Sequence, residues 1–177
     1  MTAPIMATGR TPRVLTVGAG AAPLVGSLIR TGHRVIAVDI AQAAIDALLG
    51  ALDESTASLV GEHLTTIAAD VRTLRIDEPV DVWHDRAVFH FLVEPADQLA
   101  YAAAAARAVT PGGHLVISTF APDGPTSCSG LPVTRYDAGS LGEVFAPAFF
   151  LVDSFEADHH TPWGTTQRFT HAVLRRA

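Results

Sequence analysis

The chain contains 177 residues, of which 49% are hydrophobic and 17% charged, a composition typical of one folded domain with its own core. All 12 basic residues are arginine, and 18 acidic residues bring the formal net charge to −6. The absence of lysine excludes a P-loop and a Schiff base with pyridoxal phosphate, because both need a lysine amine. The acidic balance and the lack of a basic stripe disfavour nucleic acid as a partner, and an acidic surface disfavours anionic membranes.

Targeting and redox features point to the cytoplasm. No apolar run approaches the roughly 20 residues of a membrane-spanning helix, and the N-terminal residues lack the apolar stretch of a signal peptide. Cys128 is the only cysteine, which excludes an internal disulfide and a cysteine-based zinc site. We therefore predict a cytoplasmic protein that does not bind a membrane.

Strand and helix patterns alternate along the first two thirds of the chain. Residues 1–12 are small and polar and predict a flexible N-terminal arm, followed by a single domain over 13–177. Strands are predicted at 13–17, 34–39, 64–70, 80–83 and 114–119, and helices at 22–31, 41–52 and 95–109. In the last helix we expect Leu99, Ala102, Ala103 and Ala106 to face inward. Apolar strands separated by helices indicate a parallel sheet covered on both faces.

The last third of the chain has a different pattern. Residues 121–136 predict a long loop, followed by a short helix at 137–145 and strands at 149–156 and 167–175. About ten residues without a helical pattern join these two strands, too few for a parallel crossover, so the pair is predicted to be antiparallel. The fold class predicted from the whole chain is α/β, with a doubly wound sheet.

A glycine turn and an aspartate indicate a site for an adenosine-containing ligand. Gly18, Ala19 and Gly20 follow the first strand and precede the first helix, where glycine permits a tight turn and the helix start offers free N–H donors. Asp39 ends the second strand, 19 residues after Gly20, where its carboxylate can accept both hydroxyls of a ribose. The alternative is a tight turn and a helix-capping aspartate without a ligand.

Five stretches, VGAG, VIAVD, AADV, VDVWHDRAVFHFL and TPGGHLVIS, together resemble the class I S-adenosylmethionine-dependent methyltransferases over residues 13–175. The stretch WHDRAVFHFL further resembles a subgroup of small bacterial methyltransferases. The resemblance implies a Rossmann-like sheet of seven strands in the order 3-2-1-4-5-7-6, with strand 7 antiparallel. It also implies S-adenosylmethionine as cofactor, S-adenosylhomocysteine as product, and in-line methyl transfer to a small-molecule acceptor.

The resemblance implies roles for individual residues and shows two departures from the family pattern. The cofactor-binding residues it implies are Gly18, Ala19 and Gly20 at the methionine moiety, Asp39 at the ribose, Ile40 on an adenine face, Asp70 and Val71 at the adenine edge, and His84 near the methyl group.

The first departure is Thr16, which stands where the family usually has an acidic residue two positions before the first glycine. The second is the short segment before the first strand, where the family carries about 40 residues that close over the cofactor and exclude water. We therefore expect a wetter, weaker site, or a lid supplied by a partner subunit in a homo-oligomer.

A polar cluster after the fourth predicted strand supplies the candidate catalytic residues His84, Asp85, Arg86 and His90. Ligands of open α/β sheets bind beyond the carboxyl ends of the strands, where this cluster is predicted to lie. Either histidine could act as a base near neutral pH. Asp85 could orient an imidazole, and Arg86 could hold an anionic acceptor or pair with Asp85. The alternative is a structural Asp85–Arg86 ion pair with His90 on a helix face.

A second polar group surrounds the last two predicted strands and is expected to cover the acceptor pocket. Adjacent histidines in a strand point to opposite sides, so His159 and His160 are not expected to share a metal, and no metal site is predicted. The alternative is that these side chains cap loops and pack turns. The candidate substrate-binding residues are Cys128, Arg135, Tyr136, His160 and Trp163, and His159 and Gln167 lie beside them.

Two other functions stay open. A nicotinamide- or flavin-binding oxidoreductase is suggested by the glycine turn followed by Asp39, although Pro23 occupies the third glycine position of that fingerprint and lacks an N–H. A cofactor-binding module with weak or no turnover is suggested by Thr16 and the short N-terminal segment.

Overall fold

The computed structural model describes residues 11–20 and 23–177, so residues 1–10 of the predicted arm lie outside the described residues, as do 21 and 22. The strands are β1 (Arg13–Val17), β2 (Arg34–Asp39), β3 (Leu64–Ala68), β4 (Val80–Arg86), β5 (Val109–Phe120), β6 (Ser127–Cys128), β7 (Leu131–Pro132), β8 (Phe149–His160) and β9 (Thr166–Arg176). The helices are α1 (Pro23–Arg30), α2 (Gln42–Gly50), α3 (Glu54–Ala57), α4 (Pro95–Ala108) and α5 (Ala138–Phe145).

Seven strands form one sheet in the order β3-β2-β1-β4-β5-β9-β8. The strands β1 to β5 pair in parallel, whereas β9 is antiparallel to both β5 and β8. The two-residue strands β6 and β7 form a separate hairpin in the long loop. Counting only the strands of the large sheet, the order is 3-2-1-4-5-7-6, which confirms the Rossmann-like fold and the antiparallel strand.

Three strands run well beyond their predicted bounds: β5 begins at Val109 rather than at residue 114, and β4 and β8 carry polar residues with them. The strand β4 continues to Arg86 because β1 and β5 flank it, so His84 pairs with both Thr16 and Val116. The strand β8 continues to His160, opposite Thr166 of β9. His84, Asp85 and Arg86 of the first cluster and His159 and His160 of the second therefore lie in strands rather than in loops. Because the ends of β4 and β8 are polar, a search for apolar runs does not detect them as strand.

Helices cover the sheet on both faces. The helices α4 and α5 pack on the face that presents Trp83 and Leu115, while α1 and α2 pack on Val35 and Ala37 of the other face. The expected inward face of α4 is wrong for Leu99, which is 66% exposed, and for the exposed Ala103, whereas Ala102 and Ala106 are partly buried against the core as expected. The residues of α4 that are buried are Tyr101, Ala104, Ala105 and Ala108. Among the described residues, no helix combines the length and apolar character needed to cross a membrane.

Candidate functional site

The carboxyl ends of four parallel strands meet at one edge of the sheet. Gly18 follows β1, Asp39 ends β2, Asp70 follows β3 and Arg86 ends β4. A cleft of about 560 Å³ opens at this edge, between the ends of β1, β4 and β9, the start of α1 and the loop after β5. Of the predicted site residues, the cleft is lined by Gly18, His84, Arg86 and Cys128.

The turn after β1 brings backbone close to neighbouring elements. Gly18 has a φ of 61°, a conformation that favours glycine, and a Cβ added there would lie 2.2 Å from a Val88 methyl group. The Ala19 N–H donates to the Val38 carbonyl at 3.3 Å, and its side chain is buried against Ala37 and Val25. The side chain of Ala19 therefore packs in the core, so the contact predicted for it with a cofactor is not made by its methyl group.

Asp39 has the acceptor capacity that its predicted role requires. One carboxylate oxygen accepts the Ala41 N–H at 3.0 Å, and the other accepts the Gly20 N–H at 3.4 Å. Each oxygen therefore keeps a lone pair for a further donor. The next side chain, Ile40, is 74% exposed, so a flat apolar ring can pack against it without displacing protein.

Asp70 does not offer a free carboxylate. The Arg72 guanidinium donates to both Asp70 oxygens, with Nε at 3.0 Å from each, and the Arg72 N–H adds a bond of 2.9 Å. Arg72 also pairs with Asp97 on α4 at 2.5 Å. The hydrogen bonds from Arg72 hold the pKa of Asp70 below its usual value. The prediction that Asp70 accepts an adenine amino group is therefore wrong for this arrangement, whereas Val71 begins a helical turn whose first N–H groups lack intrahelical partners.

His84 faces the cleft beside Thr16. The His84 Nδ1 lies 3.2 Å from the Thr16 hydroxyl across the β1–β4 pair. Burial first, and then the charge of Arg86, lower the pKa of His84 to about 4. The imidazole is therefore neutral at pH 7 and is a weak base there, which corrects the expectation of a base near neutral pH.

Asp85 points away from the cleft, into the core. Its fully buried carboxylate accepts the Val88 and Phe89 N–H groups at 3.0 Å and the Tyr101 hydroxyl at 2.5 Å. The Trp83 indole N–H donates to the same Tyr101 oxygen at 2.8 Å. Burial raises the pKa of Asp85 to about 6, against the opposing effect of these three bonds. Asp85 therefore neither orients an imidazole nor pairs with Arg86, and it fixes the turn that follows β4.

His90 is also a core residue. Its side chain is fully buried, and neither ring nitrogen has a hydrogen-bond partner within the described part of the chain. The ring lies between Phe91 and Phe120, at centroid distances of 4.6 and 4.7 Å. Burial lowers the pKa of His90 to about 4. Its predicted role as a base is therefore wrong, whereas the alternative, a position on a helix, agrees with the helical turn Phe89–Phe91, which directs the ring inward.

The buried His90 predicts a pH-dependent stability difference. Because the folded-state pKa is lowered, the unfolded chain binds the proton first as the pH falls, and stability is lost from about pH 6.5 down to about pH 4. His90→Leu removes this effect. The unfolding free energy of the variant minus that of the unchanged protein should therefore be about 2 kcal/mol larger at pH 5 than at pH 8. Urea denaturation at both pH values measures this, and a pH-independent difference would contradict a buried neutral His90.

The predicted substrate-binding residues mostly lie outside the cleft. Tyr136 is 5% exposed and packs on the Phe89 ring, and Arg135 donates to the Gly124 carbonyl. His160 contacts the Thr166 hydroxyl at 3.1 Å, and Trp163 is 79% exposed in the turn between β8 and β9. The expectation that these four residues cover the acceptor pocket is wrong, and of the predicted set Cys128 alone lines the cleft.

The far wall of the cleft consists of residues from β5, β8 and β9. Phe120 and Phe169 pack edge to face at 4.8 Å, and His159 and Gln167 line the cleft beside them. The aromatic residues were not among the predicted site residues. Alternation along β9 could have found Phe169, because Gln167 and Phe169 are two residues apart and share one face of the strand.

Comparison with known proteins gives the class of the chain. A family model described as "Methyltransferase domain" matches residues 14–113. That match covers more than half of the 177 residues, and the chain belongs to this methyltransferase-domain family. A sequence comparison with the curated proteins finds no match.

Solved structures share the fold. A S-adenosylmethionine-dependent methyltransferase from Methanosarcina mazei superposes with a TM-score of 0.79 at 13% identity, covering 94% of this chain and 92% of that one. The 1,6-didemethyltoxoflavin-N1-methyltransferase from Burkholderia thailandensis, solved with bound 1,6-didemethyltoxoflavin and S-adenosylhomocysteine, gives a TM-score of 0.73 at 25% identity, covering 96% of this chain and 72% of that one. The N-methyltransferase NodS from Bradyrhizobium japonicum, solved with S-adenosylhomocysteine, gives 0.72 at 16%, covering 95% and 79%.

Proposed function

We propose that the chain binds S-adenosylmethionine at the carboxyl edge of the sheet and transfers its methyl group to a small-molecule acceptor in the adjoining cleft. The observation that carries the proposal is the Asp39 carboxylate. It stands at the end of β2 with one acceptor site left on each oxygen, beside the exposed Ile40 and the close turn at Gly18. The family membership and the neighbours solved with S-adenosylhomocysteine support this choice of cofactor.

The residues at this edge divide the binding task. Asp39 accepts the two ribose hydroxyls, and Ile40 covers one face of the adenine ring. The Val71 N–H meets the adenine edge, a contact that does not depend on the occupied carboxylate of Asp70. The backbone of the turn at Gly18 and Gly20 approaches the methionine moiety closely because no side chain intervenes.

The cofactor supplies a methyl group on a sulfonium, which is already activated for displacement. The protein therefore has to align the acceptor and keep water out, rather than supply a strong base. A neutral His84, bonded to Thr16, agrees with this requirement. It can hold or accept a proton from an acceptor only weakly, and it adds no positive charge beside the sulfonium at pH 7.

Isothermal titration with S-adenosylhomocysteine tests the cofactor assignment. We expect a heat of binding that corresponds to one site per chain. No heat and no thermal shift at millimolar ligand would contradict the proposal. Transfer of label from methyl-labelled S-adenosylmethionine to a pool of small molecules then separates the two remaining functions, because binding without transfer favours the module without turnover.

A further inference from the structure

The charge of the cleft is concentrated on one side chain. Arg86 ends β4 and projects from the sheet into the cleft. Among the described residues that line the cleft, none is an aspartate or a glutamate, and Arg86 forms no ion pair within the described part of the chain. An arginine is always protonated and presents five donors, so a carboxylate is the partner that this environment lacks.

The contacts of Arg86 orient its guanidinium without neutralising it. One terminal nitrogen lies 3.4 Å from Nδ1 of His159, a contact that supplies no negative charge. The guanidinium carbon lies 6.0 Å from the centre of the Phe169 ring, within the range of a cation–π contact. At least three of the five N–H donors of Arg86 therefore stay available to a ligand.

The two neighbouring histidines whose pKa values are lowered, His84 and His171, do not add to the positive charge at pH 7. His84 is neutral at pH 7 because burial and Arg86 lower its pKa to about 4. Burial and Arg86 also lower the pKa of His171, whose Nδ1 lies 2.8 Å from the Ser118 hydroxyl. Arg86 is thus the fixed positive charge of a cleft whose described lining contains no other arginine and no carboxylate.

Part of the cleft wall is apolar. Pro23 and Leu24 of α1 form an exposed apolar wall of the cleft, with Leu24 36% exposed, whereas Phe120 and Phe169, an edge-to-face pair that also lines the cleft, are only 0% and 3% exposed. A ligand that fits this wall therefore has a flat or apolar body. Arg168 offers a contrast on the other face of β9, because it is paired with Glu156 at 2.9 Å and lies 3.6 Å from both Asp123 and Asp158.

From this arrangement we infer that the methyl acceptor is a small organic carboxylate, with its carboxylate held by Arg86 and its apolar body against Pro23 and Leu24. That this ligand accepts the methyl group rests on the proposed function. That it is a carboxylate rests on the residues of the cleft alone. Arg86 acts as the substrate-binding cation, in a geometry that allows a bidentate contact with the carboxylate.

Benzoate and benzamide are matched probes, because they share shape and differ in charge. We expect benzoate to bind at least tenfold more tightly than benzamide, with and without saturating S-adenosylhomocysteine, as measured by chemical-shift titration. Arg86→Gln should remove this preference and change the affinity for S-adenosylhomocysteine less than twofold. Arg168→Gln, which removes an already paired arginine, should leave the preference intact.

Two results would overturn the inference. Equal binding of benzoate and benzamide by the unchanged protein would show that the cleft does not select a carboxylate. A tenfold or greater loss of S-adenosylhomocysteine affinity in Arg86→Gln would assign the arginine to the carboxylate of the cofactor instead. Failure of the proposed function is distinguishable, because it would appear as no binding of S-adenosylhomocysteine while the preference for benzoate persisted.

Discussion

Replacing Asp39 with alanine is expected to lower the affinity for S-adenosylhomocysteine at least 100-fold, about 2.7 kcal/mol or more. The carboxylate would make two charge-assisted hydrogen bonds to the ribose, and such bonds contribute about 1.5–3 kcal/mol each. The same side chain accepts the Gly20 N–H, so its loss also loosens the turn after β1. Isothermal titration of the variant measures the change.

Asp46 provides the matched control for this substitution. It is an exposed aspartate on α2 that accepts a hydrogen bond from Gln42 at 2.9 Å, away from the cleft. Asp46→Ala should leave the affinity within twofold. Unchanged affinity in Asp39→Ala would remove the ribose assignment, and equal losses in both variants would show a general effect of charge.

Replacing Asp85 with alanine is expected to lower the free energy of unfolding by about 4 kcal/mol. The substitution leaves three buried donors without an acceptor, namely the Val88 and Phe89 N–H groups and the Tyr101 hydroxyl. Each unsatisfied buried donor costs about 1–3 kcal/mol. The structure around the substitution relaxes in part, so the total cost for the three donors stays below the sum of their maximum costs. Urea denaturation at pH 7 measures the loss.

Tyr101→Phe provides a graded comparison. This variant keeps both backbone hydrogen bonds of Asp85 and leaves the Trp83 indole N–H unpaired, so a smaller loss of about 1–2 kcal/mol is expected. Wild-type stability in Asp85→Ala would contradict a structural role and would return Asp85 to the list of catalytic candidates. Equal losses in the two variants would assign the effect to the Tyr101 hydroxyl alone.

The parallel part of the fold is predictable because its strands are short apolar runs between helices. The strands at 13–17 and 34–39 match residue for residue, since they are buried on both faces and end at a glycine or an aspartate. The extended ends of β4 and β8 are less predictable, because neighbouring strands rather than apolar side chains keep them in the sheet. The inward face of α4 is ambiguous for a related reason, because a run of alanines gives no apolar contrast around the helix.

The positions of site residues can be predicted where the local backbone fixes them. They are harder to predict where contacts between distant elements fix them. The turn at Gly18 and the position of Asp39 follow from the strand ends. The burial of Asp85 and His90 does not, because their inward direction depends on where β4 ends and on the packing of Tyr101, Phe91 and Phe120. Distant elements likewise place Asp97 beside Arg72 and Phe169 beside Phe120.

A crystal structure with S-adenosylhomocysteine is the most direct test of the central claim, that the carboxyl edge of the sheet is the cofactor site. We expect the ribose hydroxyls within hydrogen-bonding distance of Asp39, the adenine ring against Ile40, and the sulfur facing the cleft between His84 and Phe169. A second cleft, of about 280 Å³, lies at the amino edge of the sheet among Arg34, His63 and Arg75. S-adenosylhomocysteine bound in this second cleft, with none at the carboxyl edge beside Asp39, would contradict the proposed cofactor site.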